Sequence, residues 1–370
     1  MSDMERLTIL TTPSSGDGVR IHIEKMVEQK SKEFNLLLKQ LPHMESAISQ
    51  LKSGNADLVA MSALDWREIN QDDLMISAIL PRREPTWVLV CDDKPEYLIS
   101  NARIICDNKL IKRQLSRLRN DLNVISSKEL INILKINEDM DKIDLTSWLE
   151  ECRQNQLIDG FVTTRSLHSS LKFKSRRHTL GLQRENPERT HFIPPPLHGF
   201  TLLVSRKGFP SSTIDSMNDN AAYICHKIES SLHDSLDEKI KNITGIYVEQ
   251  RKIGTILREA KRSNDDSTIE SVIGKDGTPT DSTIRLHLTI ETLSFDGKVT
   301  AICERIIPLE KSHMGMVNLL KDFNTLISLM QEERLEPIRR IHGLQADYYE
   351  YKEPLLDLND YSDSTSSDKS

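Results

Sequence analysis

Ser62 and Asp65 stand three residues apart at the end of an apolar run, LVAMSALDW, within the stretch 52–85. A carboxylate just past the end of a strand lies where open α/β sheets bind their ligands. There it can meet positive charge developing in a transition state, or carry a proton. Asp65 is therefore the candidate catalytic residue, and Ser62 beside it a candidate anion-binding residue. A second candidate is Ser14, in the loop TPSSGDG at 12–18. Strand, Gly/Ser loop and helix together offer backbone N–H groups to an anion. An ordinary capped turn has the same composition, and no complete phosphate-loop motif is present. A third is the basic helix expected at 108–120, where Lys109, Lys112 and Arg113 are candidates for holding an anion. A solvated helix face is the alternative there. Arg82, Arg83 and the run 165–178, which has five cations and no acid, could face the same cleft.

The totals narrow the chemistry. Five scattered cysteines with no CxxC pair indicate neither a zinc site nor a disulfide framework, so no metal is expected. A net charge of −7 argues against a nucleic-acid partner. No apolar run approaches the ~20 residues of a membrane span. The first residues, MSDMERLTIL, lack the pattern of a signal peptide, and a cytoplasmic protein is expected.

The elements that must position these residues alternate. Strands are expected at 6–11, 34–41, 56–61, 75–80 and 87–91, with helices from about 19 and at 44–52. After a linker at 92–97 the pattern restarts: strands at 102–106, 122–125 and 159–163, helices at 108–120, 128–134 and 148–154. A proline-rich entry, IPPPLHGF, leads to a strand at 200–205. Mainly helical sequence follows at 216–241. Strands are expected at 245–249, 283–292 and 299–307, the last two joined by an Asp296-Gly297 turn. Residues 264–282 form a Gly/Asp/Ser/Thr-rich excursion. One long helix, or two joined at Pro337, is expected over 314–341.

Taken together and in order, several segments resemble the porphobilinogen deaminase (hydroxymethylbilane synthase) family over roughly residues 6–310. GNADLVAMSALDW is similar to that family's GEADIAVHSLKDLP, and ISAILPRREPTWVLV to a segment of the form AVLPREDPRDALV. NARIICDNKLIKRQLSRLRNDL follows ARVGTSSLRRxxQLxxxRPDL without a gap. IPPPLHGFTLLVSR resembles PAxGQGALGIEVR, and SLHDSLDEKIKNITGIY stands where the family has its cysteine loop. The resemblance implies a three-domain α/β protein: two periplasmic-binding-protein-like α/β lobes around a cleft plus a small α+β C-terminal domain. The first lobe would comprise 1–91 and 192–210, the second 92–191, and the third domain 211–310. Beyond the resemblance, a C-terminal helical extension at 311–356 and, from its Ser/Asp-rich composition, a disordered acidic tail at 357–370 are expected. The resemblance also aligns Asp65 with the family's catalytic aspartate.

Much of the implied chemistry is replaced. The cysteine that carries the family's dipyrromethane cofactor falls on Ile240, and isoleucine cannot form a thioether. The paired arginines that hold substrate carboxylates fall on Leu110 and Ile111. The lysine before the aspartate falls on Leu64, the histidine of that motif on Met61, and the first-loop arginine on Thr12, while Ser14 persists. No cofactor is therefore expected. Three readings stay open: a divergent synthase of tetrapyrrole (porphyrin) biosynthesis with standard catalysis lost; a non-catalytic binding protein for a small anionic ligand such as a pyrrole carboxylate; and a regulatory paralogue with a protein partner at its C-terminal helix.

Overall fold

A computed structural model describes residues 6–13, 18–136, 140–183, 190–273, 284–332, 334–337, 349–352 and 354–358. Ser14 and all but the first two residues of the acidic tail lie outside these.

The first lobe is built from β1 (Arg6–Thr11), α1 (Val19–Lys30), β2 (Asn35–Gln40), α2 (Met44–Lys52), β3 (Leu58–Ser62), α3 (Ala63–Glu68) and β4 (Leu74–Ile79). The chain then crosses to the second lobe. That lobe contains β5 (Trp87–Cys91), β6 (Arg103–Ile105), α4 (Lys109–Leu118), β7 (Asn123–Ile125), α5 (Ser127–Leu134), α6 (Lys142–Gln154), β8 (Gly160–Thr164), α7 (Arg165–Ser170) and β9 (Arg177–Leu180). A second crossing returns it to the first lobe as β10 (Thr201–Arg206).

The two sheets have the same plan. Their orders are β2-β1-β3-β10-β4 and β7-β6-β8-β5-β9. In each, the strand entering from the other lobe lies second from the edge and antiparallel to both neighbours. The other strand pairs are parallel. Central strands buried on both faces read as continuous apolar runs; in β3 every residue of LVAMS is buried.

The third domain follows as α8 (Asn220–Asp234), α9 (Glu238–Lys241), β11 (Thr244–Lys252), α10 (Ile253–Ser263), α11 (Asp266–Val272), β12 (Ile284–Leu293), β13 (Thr300–Pro308) and α12 (Ser312–Gln331). Its antiparallel sheet buries Leu286, Leu288 and Ile290 in one core with Leu232 of α8 and Phe323 of α12. The fold is thus two α/β lobes and a smaller α+β domain. α11 lies in the stretch 264–282 that reads as a polar excursion, and α10, just before it, was not legible in the sequence either. The long helix expected to Ile341 ends at Gln331, and Pro337 lies in a short strand, β14 (Arg334–Pro337), paired with β15 (Tyr349–Lys352). Proline has no N–H for the helix ladder and restrains the residue before it to extended backbone. α12 is also no free extension: Leu319, Phe323 and Ile327 are buried against the third domain.

Two buried carboxylates bolt this domain to the rest. Glu229 of α8 is fully buried and receives Arg82 of the first crossing in a bidentate pair, 3.0 and 3.1 Å, plus the N–H groups of Leu197 and Val248. Burial pushes its carboxyl up, against the pull of Arg82. Arg82 also donates to the carbonyl of His198 and lies 4.1 Å over the Phe200 ring. Glu291 of β12, also fully buried, accepts from Arg117 (2.6 Å) and Gln114 (2.9 Å) of α4 and pairs with His191 (2.8 Å). These bonds hold its carboxyl below the ordinary range despite burial.

Candidate functional site

The crossings meet at the floor of a cleft between the lobes. Arg83 N–H donates to the Gly199 carbonyl at 3.1 Å. Gly199 has φ +85°, and a Cβ there would lie 2.2 Å from the Arg83 carbonyl, so only glycine lets the two strands touch. The cleft measures about 450 Å³. Its first-lobe wall comes from one turn of α1, with Ile21, His22 and Lys25, and from Ser62 and Leu64 at the start of α3. Its second-lobe wall comes from Lys142 at the start of α6 and from Arg165, Ser166 and Ser169 on α7. Trp87, His198 and Phe200 close the floor.

The electrostatics are positive. Lys25 and Lys142 are exposed, stand on opposite lobes, and form no ion pair with any described residue. Arg165 pairs with Glu84 at 3.0 Å on the surface. His22 is held neutral, its pKa lowered to about 4 by burial, Arg83 and Lys25. His198 is likewise lowered to about 4, by burial, Lys142 and Arg82. His22 Nδ1 lies 3.0 Å from the Thr201 hydroxyl. The rings of His198 and Trp87 meet at 5.5 Å, and the indole N–H of Trp87 is buried without a hydrogen-bond partner among the described residues.

The sequence candidates separate into two places. Ser62 lines the cleft. Asp65 caps α3: its carboxylate accepts from the Ser62 hydroxyl (2.8 Å) and N–H (3.3 Å), and its own N–H donates back to Ser62 Oγ (3.1 Å). This is a capping box, and Asp65 is not among the cleft-lining side chains. Lys109, Lys112 and Arg113 do not reach this cleft. Arg113 is 4% exposed and donates to the carbonyls of Leu293 (2.7 Å) and Leu358 (3.0 Å). The basic helix is thus turned toward the third domain. Lys109 and Arg113 line a separate cavity of about 940 Å³ together with Ile240, where α4, α9, α12 and Leu358 converge. Lys112 lies beside the β12–β13 turn. The positions read as paired arginines in the resemblance, Leu110 and Ile111, are buried in the core.

Ile240 is 7% exposed and packs in the main core. All five cysteines are free. Cys106 and Cys225 are buried, and burial pushes both thiols up to about 12. Among the described residues no group of His, Cys, Asp and Glu is arranged to hold a metal ion, and no helix is long and apolar enough to cross a membrane. Sequence reasoning missed Lys25, Lys142, His22, His198 and Trp87, which the crossings gather from stretches far apart in the chain.

Fold and cleft together define a two-lobed α/β protein with a doubly crossed hinge and a third domain bolted across it. No protein-family model matches the chain. It is 25% identical over 213 residues to a probable porphobilinogen deaminase of Picrophilus torridus, covering 57% of this chain and 66% of that protein, which is a distant relationship. The chain thus matches just under two thirds of that relative's length. Loose structural likenesses include the periplasmic VFT2 domain of Bordetella pertussis BvgS (15% identity, TM-score 0.33, 61% of this chain and 91% of that one). A YaeC-family lipoprotein of Enterococcus faecalis is another (14%, 0.34, 61% and 96%). A putative methionine-binding lipoprotein of Bacillus subtilis is a third (13%, 0.32, 55% and 84%).

Proposed function

We propose that this chain is a porphobilinogen deaminase-like protein of tetrapyrrole biosynthesis in which dipyrromethane-dependent catalysis is lost, and that it holds a small anionic ligand between its lobes. The observation that carries the binding function is the pair Lys25 and Lys142, which face one cleft from opposite lobes without carboxylate partners among the described residues. An anion placed between them gains charge-assisted hydrogen bonds to both lobes. The loss of catalysis is supported by Ile240, which has no nucleophilic atom to anchor a pyrrole chain. The buried high-pKa thiols of Cys106 and Cys225 offer no thiolate in its place. The residues present therefore do not fit a covalently attached dipyrromethane.

The test is incubation of the purified chain with porphobilinogen, followed by intact mass, assay of released tetrapyrrole and equilibrium dialysis. The expected result is weak, saturable binding of this dicarboxylate with unchanged mass and no product. A mass increase of two pyrroles with linear tetrapyrrole released would overturn the loss of catalysis.

A further inference from the structure

The two walls of the cleft differ in chemistry. On the first lobe, Ile21 and Leu64 are 42% and 38% exposed, although both are large apolar residues. They line the cleft from two different helices, α1 and α3, with the neutral imidazole of His22. On the second lobe the wall is cationic and hydroxylic: Lys142, Arg165, Ser166 and Ser169. The floor adds the adjoining, half-buried rings of Trp87 and His198. An apolar side chain left open to water gains free energy when a ligand covers it. A ligand acidic at both ends would instead set its second carboxylate against Ile21 and Leu64, with Lys25 alone on that wall to offset the lost hydration.

We propose that the cleft takes an amphipathic monoanion, with an apolar or aromatic body against Ile21, Leu64 and Trp87 and one acid group toward Lys142. Lys25 sits one turn beyond Ile21 on α1 and supplies charge at the rim. This names the ligand class of the site proposed above and rests on that reading.

The experiment is isothermal titration of the full chain with 3-phenylpropionate and with succinate, with the Trp87 indole resonance reporting occupancy of the cleft. The aromatic monoacid is expected to bind at least about tenfold tighter, the effect of burying roughly two methylene groups. Leu64→Lys should narrow or invert that preference while succinate binding is kept. Ile21→Ser should weaken the aromatic acid alone, and Lys142→Ala should weaken both. Equal affinity for the two acids, with Lys142→Ala weakening both, would overturn the amphipathic class and leave the anion cleft standing. No binding of either acid, or binding indifferent to Lys25→Ala and Lys142→Ala, would remove the anion cleft and this inference with it.

Discussion

Asp65 shows one carboxylate committed to a local purpose, the helix cap that its spacing three residues after Ser62 also allows. Its oxygen is committed to the Ser62 hydroxyl and N–H, so its first effect is on the α3 terminus. Asp65→Ala should cost about 1 kcal/mol of stability, and Asp65→Asn less, in urea titrations; an unchanged midpoint for Asp65→Ala would contradict the capping role. Glu229 carries more. Glu229→Ala leaves the Arg82 guanidinium buried without its counter-charge and should cost about 3–5 kcal/mol, whereas replacing both partners by apolar residues should cost less. Equal losses would show that Arg82 reaches solvent. The buried imidazoles set a pH dependence. His22, His198 and His226 have pKa values lowered to about 4 in the folded chain, against an ordinary value near 6.5. The unfolded chain therefore binds more protons between these values. Their contribution is complete above about pH 6.5 and is lost as pH falls through about 4. The urea midpoint should decline across that window, and a flat profile would place these rings in water.

At the scale of elements, α4 and the C-terminal segment are the informative ones. α4 has the composition of a solvated basic helix, yet its arginines lie under the β12–β13 turn. Gly297, at φ +72°, brings that turn so close that a Cβ would lie 2.4 Å from the Arg113 carbonyl. Beyond α12, Leu356 is 1% exposed, its N–H donates to the Met330 carbonyl, and the neighbouring Asp357 carbonyl accepts from Phe295. This strap satisfies a carbonyl at the open end of α12 and brings Leu358 to Arg113. Leu356→Ala should cost about 2–5 kcal/mol, read as a lower thermal midpoint. A change near zero would mean the strap is peripheral.

For the whole molecule, Glu229 ties the third domain to the crossings and Glu291 ties it to α4. Heating should therefore produce one cooperative transition, because no domain can leave without breaking a buried charge network. Glu291→Ala removes the acceptor shared by Arg117, Gln114 and His191. It should split the calorimetric trace into two steps as the second lobe unfolds apart. A single transition in the variant would show that packing alone couples the domains.

The sequence by itself determined the third-domain sheet and the strands of both lobes except β9, because each of these is an apolar run bounded by Gly, Pro or polar residues, a signal carried by nearest neighbours; β9, RHTL, is no such run. It also determined that Ile240 can form no thioether, since that depends only on which atoms a side chain has. It placed Ser62 at the end of β3, where the residue lines the cleft. It did not determine which way α4 faces, because a helix of mixed basic and apolar residues reveals its partner only through the surface that covers it. Nor did it reveal α10, whose single buried stripe of Ile253, Ile256 and Ala260 lies in otherwise polar sequence. The cleft was the work of tertiary structure alone. Lys25, Lys142, Trp87 and His198 are separated by tens of residues and carry no shared spacing. Only the two crossings, held together at Gly199 and clamped by Glu229, bring their charges and rings to one place.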